Sequence, residues 1–466
     1  MVFARLRTIL LCLLFGTALM LIAFLFYDPL GLKAQFDKFR MNSLAAEIKE
    51  EENVTDNEGQ THGVITTAFE EKGTKQDTKA TKISLDRADV LDVITSAEAP
   101  QKDVNKSNRK STTPAPPDAK ELGKEKEEEE EKKKAQQCEP RNHVMFLKTH
   151  KCASSTVQNI FLRYAYKRNL TLALPATGNY LGNPTYFHAA MIPRALLPKS
   201  KLVDVFAIHT RLNYQQLSKV LHRDVKWVTI VREPTALYES LYNFYQMKSY
   251  YGFGLANFKN LGVERLEKLR RFADKLGRNQ MMFDFGYRPD ADVQEVRKAL
   301  DDLDKIFDLV MIAEFMDESL VLLRHLLCWS EEDMVVFTKN ARREKFKPSI
   351  DVHTKQVLRT INSADGILYS HFLSRHIQKV LEFGVEKMAR EVSALRDLRE
   401  KYRQRCVSRE TSGQDSSLLY PEYSDMVNAY VIANRSDTDC VLLSMSELVL
   451  INHVRKAQRR RLQPPG

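Results

Sequence analysis

Hydrophobic positions divide this chain into three unequal regions. From Ile9 to Tyr27 the sequence is continuously apolar apart from Gly16 and Thr17, about the length a helix needs to cross a bilayer. From Asp28 to Gln137 apolar residues thin out. The run Lys124 to Lys134 is wholly charged, and Pro114, Pro116 and Pro117 break any long helix. Such composition buries too little apolar surface to offset the entropy of ordering. A flexible stem is expected there, with a charged single helix from Glu121 to Lys134 as the alternative. From Cys138 onward, short apolar runs alternate with helical spacing.

Four runs in that third region read as strands: His143 to Leu147, Val203 to Ile208 (ending at His209), Lys226 to Val231 (ending at Arg232) and Ile306 to Ala313 (ending at Glu314). Helical patterns follow them. Val157, Ile160, Phe161 and Tyr164 share one helix face. Pro234 suits the first turn of a helix that carries Leu237, Leu241 and Phe244 inward. Asp317 can cap a helix bearing Leu320, Leu323, Leu326 and Leu327; capping is the preferred role for Glu314 as well, with ligand binding or stabilising the loop as the alternatives for both. A long proline-free helix is expected from about Ile377 to Arg403. Strands alternating with helices predict an α/β fold, a parallel sheet with helices flanking it. Ligands of such sheets sit at the carboxyl ends of the strands, where Lys151, His209, Arg232 and Glu314 all fall.

Between the first strand and its helix lies Lys148-Thr149-His150-Lys151-Cys152-Ala153-Ser154-Ser155-Thr156. A tight loop of lysines and hydroxyls opening a helix is an anion cradle, because loop amides and the helix N-terminus point at the ligand. It contains no glycine and is not a Walker A loop. The formal charge of +10 and a pI near 9.1 agree with an anionic ligand or surface, although a solvated basic surface accounts for them equally. No finger, homeodomain or RNA-recognition motif points to nucleic acid.

Arg5 and Arg7 precede the apolar run and Asp28 follows it. The positive-inside rule then places residues 1–8 in the cytosol, 9–27 in the membrane as an uncleaved signal anchor, 28–137 as a lumenal stem and 138–466 as the lumenal head. A cleaved signal peptide is the rival, but its apolar region is shorter and ends in small residues. Four N-x-[ST] acceptors, at Asn53, Asn105, Asn169 and Asn434, agree with a lumenal head. Cys138, Cys152, Cys328, Cys406 and Cys440 would face an oxidising compartment. Cys406 and Cys440 are expected to pair, and Cys152 to stay free so that the loop is not deformed. No C-x-x-C or H-x-x-x-H pair suggests a metal, and none is expected.

Several segments resemble Golgi sulfotransferases, most closely the galactose-3-O-sulfotransferases, the group that includes galactosylceramide sulfotransferase. They are Phe146 to Lys151, Val231-Arg232-Glu233-Pro234, Phe283-Asp284-Phe285-Gly286-Tyr287, Glu314 to Leu323, Leu327-Cys328-Trp329 and Asn340-Ala341-Arg342-Arg343. The likeness covers roughly residues 138–405. It implies a P-loop-like sulfotransferase fold, a type II Golgi membrane protein, and 3′-phosphoadenosine 5′-phosphosulfate as co-substrate without a metal. It also implies transfer of a sulfuryl group to the 3-hydroxyl of terminal galactose on glycolipids or glycoprotein glycans.

Carried over position by position, Lys148, Lys151, Ala153, Ser154, Ser155 and Thr156 hold the 5′-phosphosulfate. Lys151 also stabilises the departing bridging oxygen. Arg232 and Ser240 hold the 3′-phosphate. Cys152 stands where the family usually has Thr, so a hydroxyl contact is lost there. His209 is the expected general base, with His188 and His150 as rivals. The alternative function is a lumenal sugar or protein kinase, which would need metal-binding carboxylates by the phosphates. A membrane-tethered binding protein is a distant third. The sequence leaves the acceptor open, and a homodimer is one of the assemblies it allows.

Overall fold

Four parallel strands carry the head: β1 (Val144–Leu147), β2 (Val205–Phe206), β3 (Lys226–Val231) and β4 (Leu309–Ile312), in the order β2-β1-β3-β4. The computed structural model describes residues 138–338, 342–343 and 350–463. The expected cytosolic tail, anchor and stem lie outside the described residues. No described helix is long and apolar enough to cross a membrane.

Val144 pairs with Val205 on one side and Lys226 on the other, while Val231 meets Ile312. Every residue of β1 is fully buried. Helices therefore cover both faces, which is why β1, β3 and β4 read as continuous apolar runs rather than alternating ones. β2 is shorter than its apolar run predicts. It is an edge strand of the described sheet; its outer side meets a loop segment at the isolated bridge Leu172–Val205, and the Tyr180–His209 bridge continues that pairing beyond the strand.

Helix α1 (Ser154–Lys167) follows β1, and α2 (Pro234–Phe244) follows β3. Pro234 sits in the first turn of α2, and Glu233 caps that helix by accepting from the Ala236 amide at 2.7 Å. Leu237 and Leu241 are buried as expected, but Phe244 is only partly so. Its ring instead lies beneath Lys151, described below. After β4 comes α3 (Met316–Leu327), then α4 (Ser363–Phe383) and α5 (Val385–Cys406). The long helix expected over 377–403 is thus two helices. Gly384 divides them at φ 95°, a conformation that favours glycine.

The expected capping role of Asp317 is not what the side chain does. The N-cap position of α3 is Phe315, without a side-chain bond. Asp317 instead accepts from Arg396 Nε at 2.8 Å and Arg399 Nη2 at 2.5 Å, tying α3 to α5. Glu314 is likewise no cap. It accepts from the Glu233 amide at 3.0 Å and from the Tyr369 hydroxyl at 3.1 Å, and so braces the loop after β3.

A two-stranded antiparallel hairpin, β5 (Val407–Ser412) and β6 (Asn428–Ile432), leads to α6 (Thr438–Ser444) and α7 (Glu447–Leu462). The last helix packs on α1. Cys406 and Cys440 are bonded, as expected, and Cys138 bonds Cys328. Cys152 is free and buried.

Candidate active site

The strand order sets where the site lies. From β1 the chain steps to β2 on one side and then crosses back to β3 on the other. The crevice beyond the carboxyl ends of β1 and β3 is therefore the topological switch point, the place where such sheets bind ligands. The loop 148–153 leaves β1 there, and Arg232 leaves β3 beside it.

The loop is held from below. Thr149 Oγ1 donates to the Ile230 carbonyl at 2.6 Å, Ser154 Oγ to the Thr149 carbonyl at 2.5 Å, and Arg232 Nη1 to the Lys151 carbonyl at 3.0 Å. Lys151 and Ala153 both have φ of 57°. A non-glycine residue in the left-handed region costs roughly 1–2 kcal/mol. Two so close together persist only because these bonds over-determine them, and left-handed residues are a component of backbone anion nests. The N-terminus of α1 adds its partial positive charge at the same place.

Lys148 is 2% exposed, and three groups crowd its ammonium. It lies 2.8 Å from His209 Nε2, 3.1 Å from Ser155 Oγ and 3.3 Å from a Glu447 carboxylate oxygen. His209 Nδ1 is 2.9 Å from the Lys148 carbonyl, which only accepts. So Nδ1 carries the proton and Nε2 accepts from the ammonium: the imidazole is neutral. Burial, and then the charge of Lys148, hold His209 well below its ordinary value. Burial likewise lowers the Lys148 ammonium. Burial also pushes Glu447 up, yet Lys148 and hydrogen bonds from Ser155 (2.6 Å) and Asn179 (2.7 Å) outweigh it and keep the carboxyl below its ordinary value.

Lys151 sits differently. Its Nζ lies 3.5 Å from the centroid of Phe244, a cation–π contact. Burial lowers its pKa to about 7, helped by Lys148, Arg232 and Arg342. Arg342 is paired with Glu239 on α2. Neither Lys151 nor Arg232 has a carboxylate partner among the described residues.

His150 points to a second cluster. Its Nδ1 is 2.9 Å from the Asp284 carboxylate, which also accepts from the His150 amide at 2.8 Å. Its Nε2 is 3.0 Å from the Tyr180 hydroxyl. The His150, His209 and Tyr180 rings stack, with the two imidazole centroids 4.3 Å apart. His188 is elsewhere: exposed, it accepts from the Ala190 amide at the start of a short turn.

The structure therefore brings Lys148, Lys151, Ala153, Ser154, Ser155, Thr156, His209 and Arg232 to one end of the sheet. The Ser154 hydroxyl is spent on the loop itself, and the Ser155 hydroxyl is engaged by Glu447. Ser240 is buried on α2, but no hydrogen bond joins it to Arg232 among the described residues. The Cys152 thiol donates inward to the His150 carbonyl at 3.3 Å, and burial pushes its pKa up. Sequence reasoning missed Glu447, Asn179, Asp284 and Tyr180. Asp284 lies inside the segment Phe283 to Tyr287, so its likeness to the family was a signal; for Glu447 there was none.

A family model described as galactose-3-O-sulfotransferase matches residues 88–421. Human galactosylceramide sulfotransferase is 34% identical over 281 residues, 59% of this chain and 66% of its own length. The bovine protein of the same name is 33% identical over 278 residues, 58% of this chain and 65% of its own length. Human galactose-3-O-sulfotransferase 3 is 30% identical over 350 residues, 68% of this chain and 78% of its own length. The chain thus spans about two thirds of the galactosylceramide sulfotransferases it matches, and Glu447 lies beyond the matched family region. With the family model spanning the loop after β1, the strand-end arginine and the Asp284 segment alike, the chain belongs to the galactose-3-O-sulfotransferase family.

Proposed function

We propose that this protein transfers the sulfuryl group of 3′-phosphoadenosine 5′-phosphosulfate to the 3-hydroxyl of a terminal galactose, on a glycolipid such as galactosylceramide or on a glycoprotein glycan. We place it in the Golgi lumen on a type II anchor. One observation carries the reading of the site. Lys151 and Arg232 face the switch point with no carboxylate bonded to either among the described residues, and Lys151 feels more cationic than anionic neighbours, so the site calls for an anionic ligand. The residues fit a phosphosulfate ester: loop amides and Lys151 for the 5′ end, the Arg232 fork for the 3′-phosphate.

In this mechanism the galactose oxygen attacks sulfur while the bond from sulfur to the bridging oxygen breaks. The electron pair of that bond leaves on the nucleotide phosphate, where Lys151 offsets the developing charge. Lys148 turns from His209 toward the transferred group. That frees His209 Nε2, already a neutral lone pair, to take the hydroxyl proton. His150 is the competing base. Its Nδ1 is oriented by Asp284 in the way that general bases commonly are.

The deciding experiment uses the purified full-length chain with donor labelled in the sulfuryl group and galactosylceramide, lactosylceramide and galactosyl glycans as acceptors, with and without chelator. Labelled sulfate on a galactose 3-oxygen is expected. Phosphate transfer from labelled ATP in its place would sink the proposal. His209→Ala should lower kcat with little change in the donor KM; the same outcome confined to His150→Ala reassigns the base.

A further inference from the structure

The opposite end of the sheet holds a cluster that the transfer reaction does not use. His143 precedes β1, Asp204 precedes β2, and His222 and Asp224 precede β3. One ligand atom each from His143, Asp204 and His222 lie within 4.8 Å of one another. Asp204 Oδ1 is 3.6 Å from His143 Nε2 and 3.2 Å from His222 Nε2. Around a tetrahedral ion with ligands at about 2.0–2.2 Å, neighbouring ligand atoms stand roughly 3.2–3.6 Å apart. Two of the three separations already have that length.

The groups behind these atoms are arranged as they are behind metal ligands. His143 Nδ1 lies 2.8 Å from the Asp224 carboxylate, which fixes the proton on Nδ1 and turns the Nε2 lone pair inward. Asp204 spends its other oxygen on the Thr171 amide at 2.6 Å and keeps Oδ1 for the cluster. The two imidazoles stack, with centroids 3.8 Å apart and planes 4° from parallel. Parallel planes cannot both contain one ion, so binding turns a ring. His222 is free to turn, because its Nδ1 makes no hydrogen bond among the described residues, whereas His143 is fixed by Asp224.

We propose that His143, His222 and Asp204 form a site for one zinc-type divalent cation that clamps the starts of β1, β2 and β3. Two imidazole nitrogens and one carboxylate oxygen suit zinc, while magnesium and calcium prefer oxygen-only shells. The fourth position is water's. Spacing along the sequence did not reveal this site, because its residues come from three separate segments.

The test strips the purified full-length chain with chelator and titrates it with zinc chloride at neutral pH, reading bound metal and the melting curve. One zinc per chain is expected, undisplaced by excess magnesium or calcium, together with a raised melting temperature. Asp224→Asn removes only the orienting carboxylate and should weaken zinc by about 10–100-fold. His222→Ala and Asp204→Asn should weaken it more. Each variant is kept only if its melting curve in chelator matches the parent. Absence of stoichiometric zinc in the parent overturns the proposal. So does parental zinc affinity in both His222→Ala and Asp224→Asn, or zinc lost only in His150→Ala, which would move the ion to the other end of the sheet.

Discussion

The two ends of this one sheet handle charge in opposite ways. At the strand starts, polar groups reach solvent and have partners: His143 with Asp224, His222 with Asp204, Lys226 with Asp308 at 2.7 Å. At the strand ends, Lys148 is driven out of water with Glu447 beside it, Lys151 is pushed toward neutrality by burial and then by its cationic neighbours, and Arg232 has no carboxylate partner among the described residues. Part-exposed pairs contribute roughly 0–1 kcal/mol each and leave little field behind. Crowded, desolvated cations leave a strong one. Helix N-termini add to it at the strand ends only. The parallel architecture supplies the asymmetry, and the side chains then enlarge it.

The sharpest way to break the contrast is to remove Lys151, the cation that rests on an aromatic ring and on no carboxylate among the described residues. Lys151→Ala should reduce turnover by about 10²–10³-fold, in line with losing one preorganised group on a developing oxyanion. Secretion of the head and its melting temperature should be unchanged. Near-normal turnover removes the loop from the mechanism. Next in size is Arg232→Ala. Loss of a charged hydrogen bond costs about 1.5–3 kcal/mol, a donor KM raised roughly 10–150-fold with the acceptor KM almost unmoved. A raised acceptor constant alone would contradict the donor-side role of Arg232.

What could be seen in the sequence divides along the same line. β1, its loop and α1 are contiguous, so a buried run, a polar loop and a helical face suffice to place Lys148 through Thr156. Arg232 and Pro234 are legible for the same reason: a strand end and a first helical turn are local signals. Contacts formed across the chain are not. Glu447 reaches Lys148 from 299 residues away, and Asp284 reaches His150 from 134. No periodicity encodes either. Gly384 shows a different limit. A glycine inside a helical pattern is tolerated often enough that only its observed φ of 95° reveals the break between α4 and α5. Asp317 had the right residue type for a cap, but two arginines on α5 compete for it more strongly than an amide does.

A third measurement sharpens the comparison through pH. In the donor-free protein Lys151 has a pKa lowered to about 7 by burial and by its cationic neighbours. It is charged below that value and neutral above it, and an anionic donor prefers the charged form. kcat/KM for donor should therefore fall as pH rises through about 7, by at most about tenfold per unit. Lys151→Arg keeps its charge throughout this range, so whatever activity it retains should lack that limb. Persistence of the same limb in Lys151→Arg would assign it to another group.

The smallest effect belongs to the far end of the sheet, and it is the control on which the contrast depends. Lys226 opens β3, is 25% exposed and pairs with Asp308. If long-range field alone set donor affinity, any cation on the sheet would matter, since each adds the same formal charge. The separation argues otherwise. From Lys226 to Arg232 the strand runs about 20 Å at ~3.3 Å per residue, two Debye lengths or more at physiological salt. Lys226→Met should thus leave donor KM and kcat within about twofold and change stability by roughly 0–1 kcal/mol. Asp308 keeps its bond to the Trp227 amide at 2.9 Å in the variant, so its carboxylate is not stranded. A donor KM that rose as much as in Arg232→Ala would mean the sheet works as one positive body, and the division into a pairing end and a binding end would fall.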